Sequence, residues 1–179
     1  MHRLFVALRP PHAVRHLLNK AMGGVAGARW QDDAQLHVTL RYIGKVERHV
    51  AEDIAIALRD VRSPALTVAV RGVGTFETRG RIDTLWAGVG PADAITRLHR
   101  KIDHALVRVG LAPEGRAYQP HITIARFGRD AGPVDRFLAD WAMMASDPFT
   151  IDHFRLFESH VGQGGATYDT IARYPLIQD

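Results

Sequence analysis

Apolar and polar positions along this chain fall into short blocks whose period switches between two and three-to-four residues. Leu4-Phe5-Val6-Ala7-Leu8 is an apolar run of strand length, followed by Arg9-Pro10-Pro11 and then by a stretch to Leu17 that is apolar at helical spacing. The same order returns at a constant offset of 81, where Leu85-Trp86-Ala87-Gly88-Val89 leads through Pro91 into an amphipathic run ending near Leu98. A second match, at an offset of 84, lays His37-Val38-Thr39-Leu40-Arg41-Tyr42-Ile43-Gly44 over His121-Ile122-Thr123-Ile124-Ala125-Arg126-Phe127-Gly128. After each glycine the pattern predicts a helix and then a strand: 46–61 and 66–76 in the first half, 134–144 and 149–157 in the second. A last strand over 166–173 closes the chain. The chain therefore reads as an internal repeat. The fold class expected is α+β, a single domain over 1–179 with two pseudo-symmetric lobes of about 1–80 and 81–179. Each lobe is a largely antiparallel sheet backed by helices, with corresponding strands facing one another across a central cleft.

The repeat concentrates its chemistry in the two His-x-Thr-x segments. Side chains alternate along a strand, so His37 and Thr39 share one face while Val38 and Leu40 anchor the other, and His121 and Thr123 are disposed likewise. Two imidazoles and two hydroxyls converging on one cleft suit a phosphodiester. Displacement at phosphorus needs a base for the attacking oxygen and an acid for the departing one, and histidines titrating near ~6.5 can hold both states at neutral pH. The threonines would donate hydrogen bonds to the non-bridging oxygens. No metal or cofactor is required. One such motif alone is a weak signal; the pair inside a repeat is a strong one.

Composition narrows the setting. The chain has 179 residues, 46% of them hydrophobic and 23% charged, long enough to bury a core without staples. It has no cysteine, which excludes disulfides, thiolate metal sites and a cysteine nucleophile, and fits a cytoplasmic location. No apolar run approaches the ~20 residues of a membrane span, and the N-terminus reads as a strand and not as a signal peptide. The formal charge is +4 and the sequence pI about 9.8, compatible with an anionic partner such as RNA, DNA or a phosphorylated metabolite. Arginine outnumbers lysine twenty to three, a skew that genome composition would also produce.

With these motifs in place the sequence resembles the two-histidine phosphoesterase superfamily, and most closely its RNA 2′,3′-cyclic phosphodiesterase branch, also called the 2′-5′ RNA ligase family. The likeness extends from Arg3-Leu4-Phe5-Val6-Ala7 through both His-x-Thr-x motifs to Leu156-Phe157-Glu158-Ser159 and Gly165-Ala166-Thr167-Tyr168. It implies opening of an RNA 2′,3′-cyclic phosphate to a 2′-phosphomonoester, with His37 as proton donor and His121 as acceptor, and ligation only as the reverse reaction. It also selects Arg126 as a phosphate-binding arginine. Strict alternation turns Arg126 away from the histidine face, so its use requires strand twist or a bend, whereas Arg41 has the right parity to join the site directly. Phe5 is either core or a stacking platform for a base, Trp86 reads as core, and Arg79 and Arg81 either guide RNA or solvate a loop. Rival readings are a phosphodiesterase for another small nucleotide or a 2′-5′ oligonucleotide, a metallohydrolase using His12 and His16, and a non-catalytic RNA-binding module. Lys101-Ile102-Asp103-His104 lacks the glycine of a nucleotidyl-transfer motif, and no phosphate-cradling Gly-rich loop occurs. Two lobes complete one site, so a monomer is expected.

Overall fold

In the computed structural model, which describes residues 1–177, alternating segments form nine strands: β1 (His2–Leu8), β2 (Ala28–Trp30), β3 (Val38–Val46), β4 (Leu66–Thr78), β5 (Arg81–Gly90), β6 (His121–Phe127), β7 (Phe149–Ile151), β8 (His153–Gly162) and β9 (Gly165–Pro175). The segments with helical spacing form α1 (His12–Ala21), α2 (Arg48–Ala57), α3 (Ala92–Arg108) and α4 (Asp135–Trp141). In α3, Ile95, Leu98, Ile102, Ala105 and Leu106 recur every three or four residues and are fully buried, each large one contributing about 1.5–3 kcal/mol. The fold is α+β, a mostly antiparallel sheet with four helices. The expected strand over 149–157 is divided: β7 pairs with β4 at one edge, while β8 pairs with β1 and β9 toward the other. Strand β2, which sequence patterning did not single out, pairs with β6.

The strands run in the order β7-β4-β5-β6-β3-β1-β8-β9. Both sheet halves are antiparallel and meet at one backbone pairing, Val38 with Ile122. The two motif strands thus lie edge to edge in one sheet and not face to face across a cleft. Neither half of the sheet is built from one half of the chain alone. Strand β4 leaves the first half of the chain to pair with β5, and β8 leaves the second to pair with β1, so the repeats exchange strands. The boundary between repeats is the β4–β5 hairpin, where Thr78 pairs with Arg81 and Arg79 and Gly80 both adopt positive φ (53° and 75°), the geometry of a tight two-residue turn. Arg79 and Arg81 are accordingly exposed at a hairpin tip.

The two faces of the sheet differ. Leu4, Val6 and Leu8 of β1 join the main core with buried residues of all four helices, whereas Phe5 and Ala7 point the other way and cluster with Phe157 and Tyr168. One face is therefore covered by helices and the other is free of them. Val38 and Ile122 are buried, which turns their neighbours His37, Thr39, His121 and Thr123 to the helix-free face.

Candidate active site

An antiparallel pair Val38–Ile122 sets Thr39 opposite His121 and His37 opposite Thr123, so the four side chains form a compact diagonal quartet around the point where the two sheet halves touch. Each imidazole is fixed in the same way. His37 Nδ1 lies 2.6 Å from the Gln35 carbonyl and His121 Nδ1 lies 2.7 Å from the Gln119 carbonyl, so in both rings Nδ1–H donates and Nε2 is the atom left for chemistry. Thr39 Oγ1 sits 3.0 Å from His37 Nε2. Among the described residues His121 Nε2 has no hydrogen-bond partner.

The backbone under these rings is tied down from several sides. Arg9, next after β1, donates from one nitrogen to the carbonyls of Asp33 and Leu36, both at 2.7 Å, and so holds the turn that delivers His37. Gln35 donates to the Ala166 carbonyl of β9 at 2.7 Å. Behind β3, Tyr118 donates to the Thr39 carbonyl at 2.8 Å, its ring stacked 4.1 Å from that of buried His99, whose Nδ1 bonds the Leu40 carbonyl. These supports come from residues far apart in sequence, and nothing in the local pattern points to them.

Aromatic rings hold the two imidazoles with the symmetry of the repeat. Phe5 and Tyr168 lie 4.9 and 5.4 Å from the ring of His37, and Phe5 stacks on Phe157. Phe76 and Trp86 lie 4.8 and 6.2 Å from the ring of His121. Phe76 stands to Phe157 as Trp86 does to Phe5, both at the offset of 81, a relation that would have marked Phe76 and Phe157 from sequence. Phe5 is 5% exposed, so it supports His37 and is not available to stack on a base. Trp86, read as core, is half-buried and lies across Gly74, where a Cβ would meet the indole at 2.3 Å; only glycine permits that packing.

The arginines settle by strand register. Pairing of β1 with β3 skips Leu40, and pairing of β5 with β6 skips Ile124, so each motif strand carries a β-bulge just after its threonine. The bulge inverts parity. Arg126 is brought to the histidine face, exposed and without an ion-pair partner among the described residues, near enough to oppose protonation of both rings. Arg41, expected on that face by alternation, is turned off it. Its guanidinium, 9% exposed, bonds Asp103 Oδ1 at 2.8 Å and the carbonyls of Tyr42 and Ala112, so its donors are engaged in tying β3 to α3 and the following loop. Tyr42 takes the place equivalent to Arg126. Asp103 is desolvated, yet the Arg41 and Glu114 N–H hydrogen bonds outweigh that and hold its carboxyl below the ordinary range.

A cavity of about 640 Å³ opens beside the quartet, bordered by Thr39, Tyr42, Phe76, His121 and Arg126, and reaches the Arg41 guanidinium at its far side. Burial pushes the His37 pKa down to about 4, with Arg126 and His121 adding repulsion and the Gln35 bond opposing it; burial lowers His121 as well. Both rings are thus neutral at pH 7 in the free protein, with His37 the harder to protonate. His12 and His16 stack on the exposed face of α1, and among the described residues no three His, Cys, Asp or Glu side chains are grouped so as to hold a metal.

Three comparisons bear on the same reading. Residues 9–163 match the family model of the 2′-5′ RNA ligase superfamily. The RNA 2′,3′-cyclic phosphodiesterase of Aeropyrum pernix is 29% identical over 143 residues, covering 78% of this chain and 81% of that protein. The protein of the same name from Archaeoglobus fulgidus is 25% identical over 169 residues, 93% and 96% of the two chains. In fold, the chain superposes on E. coli LigT complexed with 3′-AMP with a TM-score of 0.80 at 23% identity, covering 99% of both chains. The crystal structure of a phosphoesterase gives 0.81 at 21% identity, over 99% of this chain and 100% of the other. Paired histidine motifs in a strand-exchanged repeat, matched across 155 consecutive positions by one family's pattern, lead to a single placement: this chain belongs to the 2′-5′ RNA ligase superfamily.

Proposed function

We propose that the protein is an RNA 2′,3′-cyclic phosphodiesterase that opens terminal cyclic phosphates to 2′-phosphomonoesters by acid–base chemistry of His37 and His121, without a metal or cofactor. The observation that carries this reading is the pair of identically restrained imidazoles, each presenting Nε2 to one shared face. A water bound by His121 Nε2 loses its proton to that nitrogen as its oxygen attacks phosphorus. The P–O3′ bond breaks, and His37 Nε2–H delivers a proton to the departing 3′ oxygen. Thr39, Thr123 and Arg126 take the non-bridging oxygens, where charge is held through the displacement. The anionic substrate offsets the repulsion from Arg126 and raises the proton affinity of both rings on binding. Ligation through a 2′-5′ bond is not the reverse of this hydrolysis but the same ring opening with an RNA 5′ hydroxyl in place of water; attack of the freed 3′ hydroxyl on the 2′-5′ bond reverses it and restores the cyclic end. His37 and His121 come from different halves of one chain, so residues 1–179 act as one unit and a monomer suffices, in the cytoplasm that a cysteine-free chain suits.

The test uses two substrates. On a 2′,3′-cyclic nucleotide, His37→Ala and His121→Ala each reduce turnover by at least ~10²-fold. On an aryl phosphodiester whose phenolate departs unprotonated, His37→Ala retains most activity while His121→Ala does not. The opposite pattern on the aryl ester reverses the two roles, and wild-type turnover of the cyclic nucleotide by either variant rejects the mechanism. Loss of activity in chelator, restored by a divalent ion, would favour the metallohydrolase.

A further inference from the structure

The helix-free face continues beyond the quartet, and its next polar groups are two arginines. Pairing places Ala7 beside Thr39 on one side and Arg155 on the other, and Arg155 beside Arg173. Thr39, Ala7, Arg155 and Arg173 therefore form one row across β3, β1, β8 and β9 with side chains on the same face. At about 4.8 Å per strand, Arg155 stands roughly 10 Å and Arg173 roughly 14 Å from Thr39 at the backbone. Alanine at the intervening place leaves that row without a bulky side chain between them.

Both guanidiniums are positioned but not neutralised. Arg155 Nε donates to His153 Nε2 at 3.2 Å, and Arg173 donates to the same nitrogen at 2.9 Å, while His153 Nδ1 is engaged by Asp152. One imidazole thus holds two cations side by side. Nearby Arg9 and Arg15 share the Asp33 carboxylate, but among the described residues neither Arg155 nor Arg173 has a carboxylate within ion-pair distance. Burial and the neighbouring Arg173 and Arg15 lower the proton affinity of Arg155. Asp152 reaches this pair only through His153 and at longer range, so two adjacent guanidiniums without a direct carboxylate partner stand on the face that carries the reacting groups, where an anion is favoured.

We propose that Arg155 and Arg173 bind a backbone phosphodiester of the RNA on the 5′ side of the cyclic end, making the enzyme selective for oligonucleotides over cyclic mononucleotides. The inference rests on the reading of the quartet as a cyclic phosphodiesterase. A 2′,3′-cyclic phosphate terminates its strand, so every further phosphate of the substrate lies 5′ to it, and the row gives those phosphates a defined direction away from the quartet.

The experiment compares kcat/KM on 2′,3′-cyclic uridine monophosphate with that on a short oligouridylate bearing the same end. Wild type, Arg155→Ala, Arg173→Ala and the double variant are assayed at two salt concentrations. In the double variant the preference for the oligonucleotide falls about tenfold or more, and the salt dependence on the oligonucleotide becomes shallower by roughly 0.7 per arginine in log–log slope. Arg136→Ala on α4, an exposed arginine outside the site, leaves both substrates unaffected. Arg155→Met and Arg173→Met keep the aliphatic stem and repeat the readout if the alanine variants melt early. Equal losses on the two substrates, or unchanged oligonucleotide kinetics, overturn the proposal. If wild type turns over neither substrate, the catalytic reading has failed, and the arginine site is judged by equilibrium binding of a 3′-phosphorylated oligouridylate. Tenfold weaker binding by the double variant then supports the site, and an unchanged Kd overturns it.

Discussion

The two imidazoles owe their orientation to carbonyls two residues upstream, and their protonation to how deeply the sheet holds them. His37 has a pKa of about 4 in the fold and about 6.5 in the unfolded chain, so between those values the unfolded state binds the proton that the native state refuses. Stability should be fully present above pH 6.5 and decline as pH falls toward 4, by at most about 3 kcal/mol from this group. Thermal melts of wild type and His37→Gln across that window check this: the variant should show a flatter dependence, and equal slopes would contradict it. Arg41 makes the contrasting case of a charge spent on structure. Its removal strands Asp103 in a mostly buried place, and Arg41→Ala should cost about 3–5 kcal/mol of stability while leaving KM for a cyclic nucleotide within about twofold. A large rise in KM with an unchanged melting temperature would return Arg41 to the substrate. Parity alone assigned Arg41 to the histidine face, and the fold turns it off that face because a single extra residue in the strand reverses the side chains beyond it.

That extra residue belongs to the element. Both motif strands carry a bulge in the same place, and the two outcomes, Arg126 inward and Arg41 outward, are one geometric event seen in the two repeats. Arg126→Ala should lower kcat/KM on a cyclic phosphate by about 10–150-fold, the equivalent of a lost charge-assisted hydrogen bond of about 1.5–3 kcal/mol. Tyr42→Ala, at the equivalent position of the other strand, should cost far less, and a comparable loss would show that the bulges do not separate their roles. The sequence carried the bulge only indirectly, since Leu40-Arg41 and Ile124-Ala125 look like ordinary strand residues; what displaces them is the register of β1 and β5 alongside. The division of 149–157 into β7 and β8 has the same kind of cause. The apolar positions from Phe149 to Phe157 fit one strand, and only pairing with two different partners, β4 on one side of Asp152 and β1 with β9 on the other, divides it.

For the whole molecule, exchange of β4 and β8 makes each half of the chain depend on the other for strand partners. A fragment of residues 1–80 lacks the strands that pair with β4 and the outer partner of β1, and should remain unfolded by circular dichroism. A natively folded fragment would contradict the exchange. Activity is likewise a property of the assembled pair of motifs. Burial lowers both imidazoles in the free protein, so the bell in kcat/KM should peak below pH 6.5, while that in kcat lies at higher pH because bound phosphate favours protonation. The limbs belong to the coupled pair. Coincident profiles centred above pH 7 would show that the rings are not held neutral.

The repeat by itself determined much: strand and helix order, the face shared by His37 with Thr39 and by His121 with Thr123, and the polar chemistry that face offers, because period-two alternation and a matched pair of motifs are local properties written residue by residue. Tertiary structure decided what local pattern does not contain. Register placed Arg126 on the histidine face and removed Arg41, close packing turned Phe5 from a possible platform into a support, and strand exchange set the two motifs edge to edge at Val38 and Ile122. Each of these depends on which strands lie next to one another, and neighbours far apart in the chain are chosen by burial and hydrogen bonding of the whole sheet.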